Sequence, residues 1–109
     1  MKKVIATSEA PKAVGPYSQA IEVNGTLYIS GQIPVNPADG TVQEEITAAA
    51  HQSLKNIGAI LREAGMTYDN VVKTTVLLAD IADFKAVNEV YAEYFTGDKP
   101  ARACYQAAA

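Results

Sequence analysis

The chain has 109 residues, which corresponds to one domain, 1–109, and leaves no room for a second. Its 49% hydrophobic and 19% charged residues exclude a disordered chain, and its net charge of −3 without a basic stripe excludes a typical nucleic-acid-binding surface. The apolar runs are too short to span a bilayer, and the N-terminus lacks the pattern of a signal peptide, so we expect a cytoplasmic protein with no membrane partner. The single cysteine, Cys104, excludes an internal disulfide.

Three strands are predicted in the first third of the chain. Residues 3–7 form a short edge strand, and residues 17–23 and 26–30 flank the pair Asn24-Gly25. Because both of these residues tolerate positive φ, an Asn-Gly pair between alternating apolar segments specifies a two-residue hairpin turn. Strand alternation then places four side chains on one face of the hairpin, namely Tyr17, Gln19, Tyr28 and Ser30.

Two amphipathic helices are predicted after a loop at residues 31–40. Apolar residues three or four positions apart give the first helix about five turns, with Gly65 as its stop: Ile46, Ala50, Leu54, Ile57, Leu61 and Ala64. His51 lies off this stripe, so we expect it on the surface. The same spacing predicts the second helix, with Asp83 as its N-cap: Phe84, Val87, Tyr91 and Tyr94 or Phe95.

Two further strands alternate with these helices. Residues 71–79 are rich in Val, Thr and Leu, which predicts a strand with substantial burial. Residues 102–107 alternate, with Arg102, Cys104 and Gln106 on one face. The resulting order β-β-β-α-β-α-β predicts an α+β fold in which two helices cover one face of a mixed sheet.

Arg102 is the first candidate for a functional residue. It begins the last predicted strand, where a guanidinium can present a fixed fork that binds a carboxylate through two hydrogen bonds. The alternative is an exposed arginine paired with a surface acid, which is the more common situation for an arginine at the start of a strand. The only other arginine, Arg62, points away from the apolar stripe of its helix.

The remaining candidates each allow a structural and a functional interpretation. Cys104 shares the face of the candidate arginine, but a nucleophilic cysteine requires a neighbouring histidine or cation, so a small buried hydrophobe is favoured. Ser30-Gly31 permits close approach of a ligand to the backbone, or simply ends a strand. Tyr17 could line a pocket or pack in the core, and Asn88 could bind in a site or stabilise a local network. One histidine, one cysteine and scattered acids predict no metal site.

Taken in order, several short segments resemble the signature of the Rid (YjgF) family. They are Gly15-Pro16-Tyr17-Ser18-Gln19-Ala20, Ser30-Gly31-Gln32-Ile33-Pro34, Asp83-Phe84 with Asn88 and Tyr91, and Pro100-Ala101-Arg102. The spacing between them matches as well, and the resemblance covers essentially the whole chain. It implies a fold similar to the chorismate-mutase-like barrel, a homotrimer in which each cleft between subunits holds a ligand site.

The resemblance also implies a reaction. Members of the family hydrolyse reactive 2-imino acids, or their enamine tautomers, to 2-oxo acids and ammonia without a cofactor. Carried over by position, Arg102 is the catalytic anchor for the substrate carboxylate. The substrate-binding positions carried over in the same way are Tyr17, Ser30, Gly31, Asn88 and Cys104, of which Tyr17 and Asn88 could come from the neighbouring subunit.

The family pattern also implies a segment beyond Ala109. Members continue with a Leu-Pro turn and a strand that carries a glutamate, which is thought to position or activate the attacking water. This chain has neither, and we expect that the natural protein continues. The alternative function is a non-catalytic module that binds small carboxylic acids. A nucleic-acid role is disfavoured by the acidic balance, and chorismate mutase activity by its need for several cationic groups.

Overall fold

The computed structural model describes residues 1–108 and contains the predicted order of elements. Each helix forms where the apolar residues recur every three or four positions, and each strand where they alternate. The strands and helices, in chain order, are β1 (Lys3–Ile5), β2 (Ala20–Val23), β3 (Thr26–Ile29), α1 (Ile46–Glu63), β4 (Lys73–Leu78), α2 (Phe84–Tyr94) and β5 (Ala101–Gln106).

The Asn24-Gly25 turn sets the register of the hairpin between β2 and β3. Both residues have positive φ, 50° and 78°, as a two-residue turn of this kind requires. Val23 therefore pairs with Thr26, as the sequence predicts. The strand is shorter than predicted, however. It begins at Ala20 rather than at residue 17, because residues 15–17 bend so that the N–H of residue 17 donates to the carbonyl of residue 15 over 2.8 Å.

The strands form two sheets within residues 1–108. β1, β2 and β3 make an antiparallel sheet, while β4 and β5 pair in parallel on either side of the crossover through α2. The α+β fold with parallel and antiparallel strands is thus confirmed, with the two directions kept in separate sheets. Ile60 packs with Ile5 and Ala20 under α1, and a second cluster joins the two helices through Leu54, Val90, Tyr91 and Phe95.

The ends of the helices show which capping predictions are right. Gly65, with φ 75°, ends α1 as predicted, and the N–H groups of Gly65 and Met66 donate to the carbonyls of Arg62 and Leu61 over 3.0 and 2.8 Å. Asp83 precedes α2 but forms no side-chain cap, so its predicted role is wrong. Asp80, three residues earlier, caps instead, since its carboxylate accepts from Ala82 N over 2.9 Å in a short 3-10 turn.

The predicted burial of β4 is also wrong, because only Leu78 is fully covered and the preceding residues alternate between half-buried and exposed. His51, predicted to lie on the surface, is 32% exposed, and its Nδ1 lies 2.7 Å from the Tyr94 hydroxyl between α1 and α2. Among residues 1–108, no helix is both long and apolar enough to cross a bilayer.

Tyr68 makes the stability of this helical layer sensitive to alkaline pH. Its hydroxyl donates to the Leu54 carbonyl over 2.6 Å, and its ring packs edge-on against Tyr94 and Phe95. Burial, followed by the neighbouring Tyr94, raises the pKa of Tyr68 above its usual value near 10. A raised pKa in the folded state stabilises the fold below about pH 10, and this contribution disappears as the pH rises further.

We therefore expect the free energy of unfolding to fall as the pH rises above about 10, the usual pKa of a tyrosine. Urea unfolding at pH 8, 10 and 11 checks this. The decline should be smaller in Tyr68→Phe, which lacks the titrating hydroxyl. Equal declines in both proteins would contradict the assignment.

Candidate functional site

Arg102 lies on the side of β5 that faces α2. It is the second residue of the strand and pairs with Thr74 of β4. Its Nη1 donates to the Asn88 side-chain oxygen over 2.7 Å. The guanidinium carbon lies 4.8 Å from the ring centroid of Tyr91 and 5.5 Å from that of Phe84, within cation–π distance of both. The strand, the helix and two aromatic rings thus hold one exposed guanidinium.

The positive charge of Arg102 is not balanced by an acid. Within the part of the chain that the structure describes, Arg102 forms no ion pair, although the sequence has twelve acidic residues. The predicted alternative, a surface arginine paired with an acid, is therefore not what the structure contains. Asn88 takes only one of the five N–H groups of a guanidinium, and the others suffice for a bidentate carboxylate.

Cys104 follows Arg102 by two residues and lies on the same strand face. It pairs with Val76 across the sheet and is half-buried. No hydrogen bond joins Cys104 to a base within residues 1–108, and the single histidine, His51, contacts Tyr94 between the helices, so we do not regard Cys104 as a nucleophile. No group of three or more potential metal ligands occurs within residues 1–108.

The hairpin carries a second group of predicted site residues. Tyr17 and Ser30 line an open cavity of about 420 Å³ together with Lys2, Ile21 and Tyr28. The Ser30 hydroxyl donates to the backbone carbonyl of residue 18 over 2.6 Å, which fixes its orientation. Gly31 follows directly, and a Cβ placed there would meet no atom within 4 Å, so its backbone is open to a ligand.

The predicted site residues thus fall into two groups in one chain. Arg102 and Asn88 are in direct contact, so both come from the same subunit, whereas Tyr17 and Ser30 share the hairpin cavity. No hydrogen bond or aromatic contact found among residues 1–108 joins the two groups directly. The candidate residues therefore form two separate groups in the chain, one around the charge of Arg102 and one around the open cavity.

Gln19 is buried, unlike Tyr28, with which it was predicted to share a hairpin face. It is 5% exposed and Tyr28 is 63% exposed, although the Gln19 carbonyl still accepts from Ser30 N over 2.9 Å, as the predicted pairing requires. Its side-chain oxygen accepts from Thr7 N over 2.7 Å, and its amide donates to the Pro11 carbonyl over 2.8 Å. Gln19 thereby holds the segment before the hairpin in place.

Tyr91 and Phe84 contact Arg102 but were predicted only as members of the family signature and of the apolar stripe, not as site residues. Both belong to the apolar stripe of α2, which predicts core packing and gives no sign of contact with Arg102. The two rings meet Arg102 only because β5 pairs with β4 in this register and turns the Arg102 side chain towards α2.

Comparison with known proteins shows which family the chain belongs to. A family model described as Endoribonuclease L-PSP matches residues 7–109. The mouse protein named 2-iminobutanoate/2-iminopropanoate deaminase is 56% identical over 110 residues, covering 100% of this chain and 82% of the mouse protein. A crystal structure of a protein of the conserved Rid family from Yersinia pestis is 50% identical, with a TM-score of 0.97, and covers 100% of this chain and 88% of that one. The chain belongs to the Rid (YjgF) family.

Another similar crystal structure contains a small ligand. The crystal structure of E. coli TdcF with bound serine is 38% identical, with a TM-score of 0.94, and covers 97% of this chain and 86% of that one. Serine has the carboxylate and the nitrogen on the adjacent carbon that a 2-imino acid also has. The predicted family and fold are thus both confirmed, by sequence identity over the whole chain and by close agreement of the backbones.

Proposed function

We propose that this Rid protein hydrolyses reactive 2-imino acids, or their 2-enamino tautomers, to 2-oxo acids and ammonia. The observation that carries the proposal is the guanidinium of Arg102, which is held by Asn88 and lacks an acidic partner within residues 1–108. A deaminase name for relatives at 56% identity supports the same chemistry. All of these substrates have a carboxylate next to the reacting C=N bond.

The proposed roles follow from the chemistry of each group. Arg102 binds the carboxylate through two hydrogen bonds and so fixes the orientation of the adjacent iminium carbon. The Ser30 hydroxyl donates to a backbone carbonyl, and its oxygen can therefore accept from the iminium N–H. Gly31 offers an open backbone nearby, and Tyr17 lines the cavity. Water then adds to the iminium carbon, and one of its protons passes to the nitrogen. The C–N bond of this tetrahedral intermediate breaks to release ammonia, while the remaining hydroxyl loses its proton and becomes the 2-oxo group.

This chemistry requires no cofactor, because an iminium carbon is already electrophilic. The residues need only hold a water molecule against the iminium carbon of the substrate, and preorganised hydrogen bonds stabilise the transition state. Cys104 contributes through its position on the strand face of Arg102, where its backbone can help to hold the water.

We further propose a homotrimer. In it, the Arg102 group of one subunit and the cavity at Tyr17 and Ser30 of another form one site between subunits. The sheet faces turned away from the helices expose large apolar side chains, at 54–63% of their surface: Val4, Tyr28, Leu77 and Tyr105. Such patches are typical of interfaces between protein chains. Association would bring the Tyr17–Ser30 cavity of one subunit towards the Arg102 of another. We also propose that the protein is cytoplasmic and that its small-molecule partners are 2-imino acids and the 2-oxo acids formed from them.

Coupled turnover tests the proposed function. Threonine dehydratase releases the 2-imino acid from threonine, and added protein should accelerate the appearance of 2-oxobutanoate and ammonia above the spontaneous rate. The dehydratase alone gives the background rate. Semicarbazide captures free imine, and the amount of captured imine should fall as the protein hydrolyses more of it. Unchanged rates in both assays would reject the proposal. Binding of 2-oxobutanoate without any acceleration would favour the alternative, a non-catalytic module that binds small carboxylates.

The family description Endoribonuclease L-PSP raises RNA cleavage as a second candidate. The net charge of −3 and the single histidine, which is held between α1 and α2, disfavour it. Specific RNA cleavage that persists through purification and disappears in a site variant would support this candidate. We therefore propose no nucleic-acid partner.

A further inference from the structure

The Arg102 guanidinium is held on two sides by different kinds of contact. Its Nη1 donates to Asn88 over 2.7 Å, and its central carbon lies over the ring of Tyr91, 4.8 Å from the ring centroid. One hydrogen bond fixes a single point, and the contact with the ring limits how the fork can turn about that point. Bidentate binding of a carboxylate depends on the orientation of the fork.

Tyr91 is itself fixed more firmly than the other aromatic neighbour. It is 8% exposed, and its hydroxyl lies 2.7 Å from the Thr74 hydroxyl, while Phe84 is 39% exposed and lies further from the guanidinium carbon. Thr74 is also the residue that pairs with Arg102 across β4 and β5. The strand register therefore places the anchor of the tyrosine directly beside the arginine that the tyrosine supports.

We infer that Tyr91 is a positioning residue for Arg102, anchored by Thr74, and that its ring sets the affinity of the site for carboxylates. This inference rests on the proposed function only for the identity of the ligand. Core packing alone does not require a tyrosine here, since the neighbouring core positions of α2 are the aliphatic residues Val87 and Val90. The aromatic face gives the guanidinium a surface that an aliphatic side chain lacks.

The test compares Tyr91→Leu with Tyr94→Leu. Each variant removes one tyrosine ring of α2 from the same apolar cluster, but only Tyr91 contacts Arg102. Calorimetric titration with 2-oxobutanoate should show a dissociation constant about 5- to 30-fold higher in Tyr91→Leu, as expected for loss of a cation–π contact, and within about twofold of wild type in Tyr94→Leu. Tyr91→Phe keeps the ring and should recover most of the affinity. In turnover, Tyr91→Leu should raise KM by more than it lowers kcat.

A readout without ligand separates this inference from the proposed function. In nuclear magnetic resonance spectra, the Arg102 side-chain resonances should have a ring-current shift that Tyr91→Leu reduces to the contribution of Phe84 and that Tyr94→Leu leaves in place. If wild-type protein had this shift but released no ammonia, the deaminase proposal would be rejected and the positioning role of Tyr91 would stand. Equal affinities and equal Arg102 resonances in Tyr91→Leu and Tyr94→Leu would overturn the inference, as would a Tyr91→Phe variant as weak as Tyr91→Leu.

Discussion

Arg102→Ala should lower kcat/KM for a 2-imino acid by about 30- to 800-fold. This range corresponds to the loss of about 2–4 kcal/mol from one charge-assisted bidentate contact that orients the reacting carbon. The free energy of unfolding should change by no more than about 0.5 kcal/mol, because the side chain is exposed. Initial rates of ammonia release at several substrate concentrations, together with urea unfolding, measure both quantities.

Two further substitutions make the Arg102 experiment specific. Arg102→Lys keeps the charge but replaces the planar fork by a point charge, so we expect it to remain at least about tenfold below wild type. Arg62→Ala removes the only other arginine, which lies exposed in the last turn of α1, and should leave turnover unchanged. If Arg62→Ala and Arg102→Ala lowered turnover by comparable amounts, the overall charge of the protein would matter, and the position of Arg102 would not.

Local signals in the sequence predicted the parts of this fold that depend on neighbouring residues. Asn24-Gly25 determines the hairpin because both residues must adopt positive φ, and Gly65 ends α1 for the same reason. Asp80 and Asp83 show the limit of such signals. Both are good capping residues three positions apart, and only the 3-10 turn at Ile81–Asp83 decides that Asp80 caps.

The site depends on contacts between residues that are distant in the sequence. Arg102 and Asn88 could be singled out separately, but their contact follows from the crossover that places α2 over β5. Periodicity identified Tyr91 as a core residue, which is correct, and could not show that the same ring also faces a guanidinium. The amide of Gln19 likewise joins segments 8 to 12 residues apart, a distance over which local propensities carry no information.

Gly58→Ala should destabilise the fold, although glycine-to-alanine substitutions within helices are usually stabilising by about 1 kcal/mol. Gly58 lies inside α1, and a Cβ there would overlap the Tyr68 hydroxyl and lie 2.8 Å from the Tyr68 Cζ atom. The ring cannot move aside freely, because its hydroxyl donates to the Leu54 carbonyl and its edge packs on Phe95. Forcing an extra methyl into such packing costs about 1–3 kcal/mol, and loss of the hydrogen bond adds about 1 kcal/mol.

After subtraction of the helical preference for alanine, we expect Gly58→Ala to lower the free energy of unfolding by about 2 kcal/mol, or Tm by about 10 °C. The sign should reverse when the ring is absent. In a Tyr68→Ala background, Gly58→Ala meets no obstacle and should stabilise by up to about 1 kcal/mol. Thermal and urea unfolding of the four proteins of this cycle measure the coupling directly. If Gly58→Ala had the same effect in both backgrounds, Tyr68 would not be the reason that this helix position is a glycine.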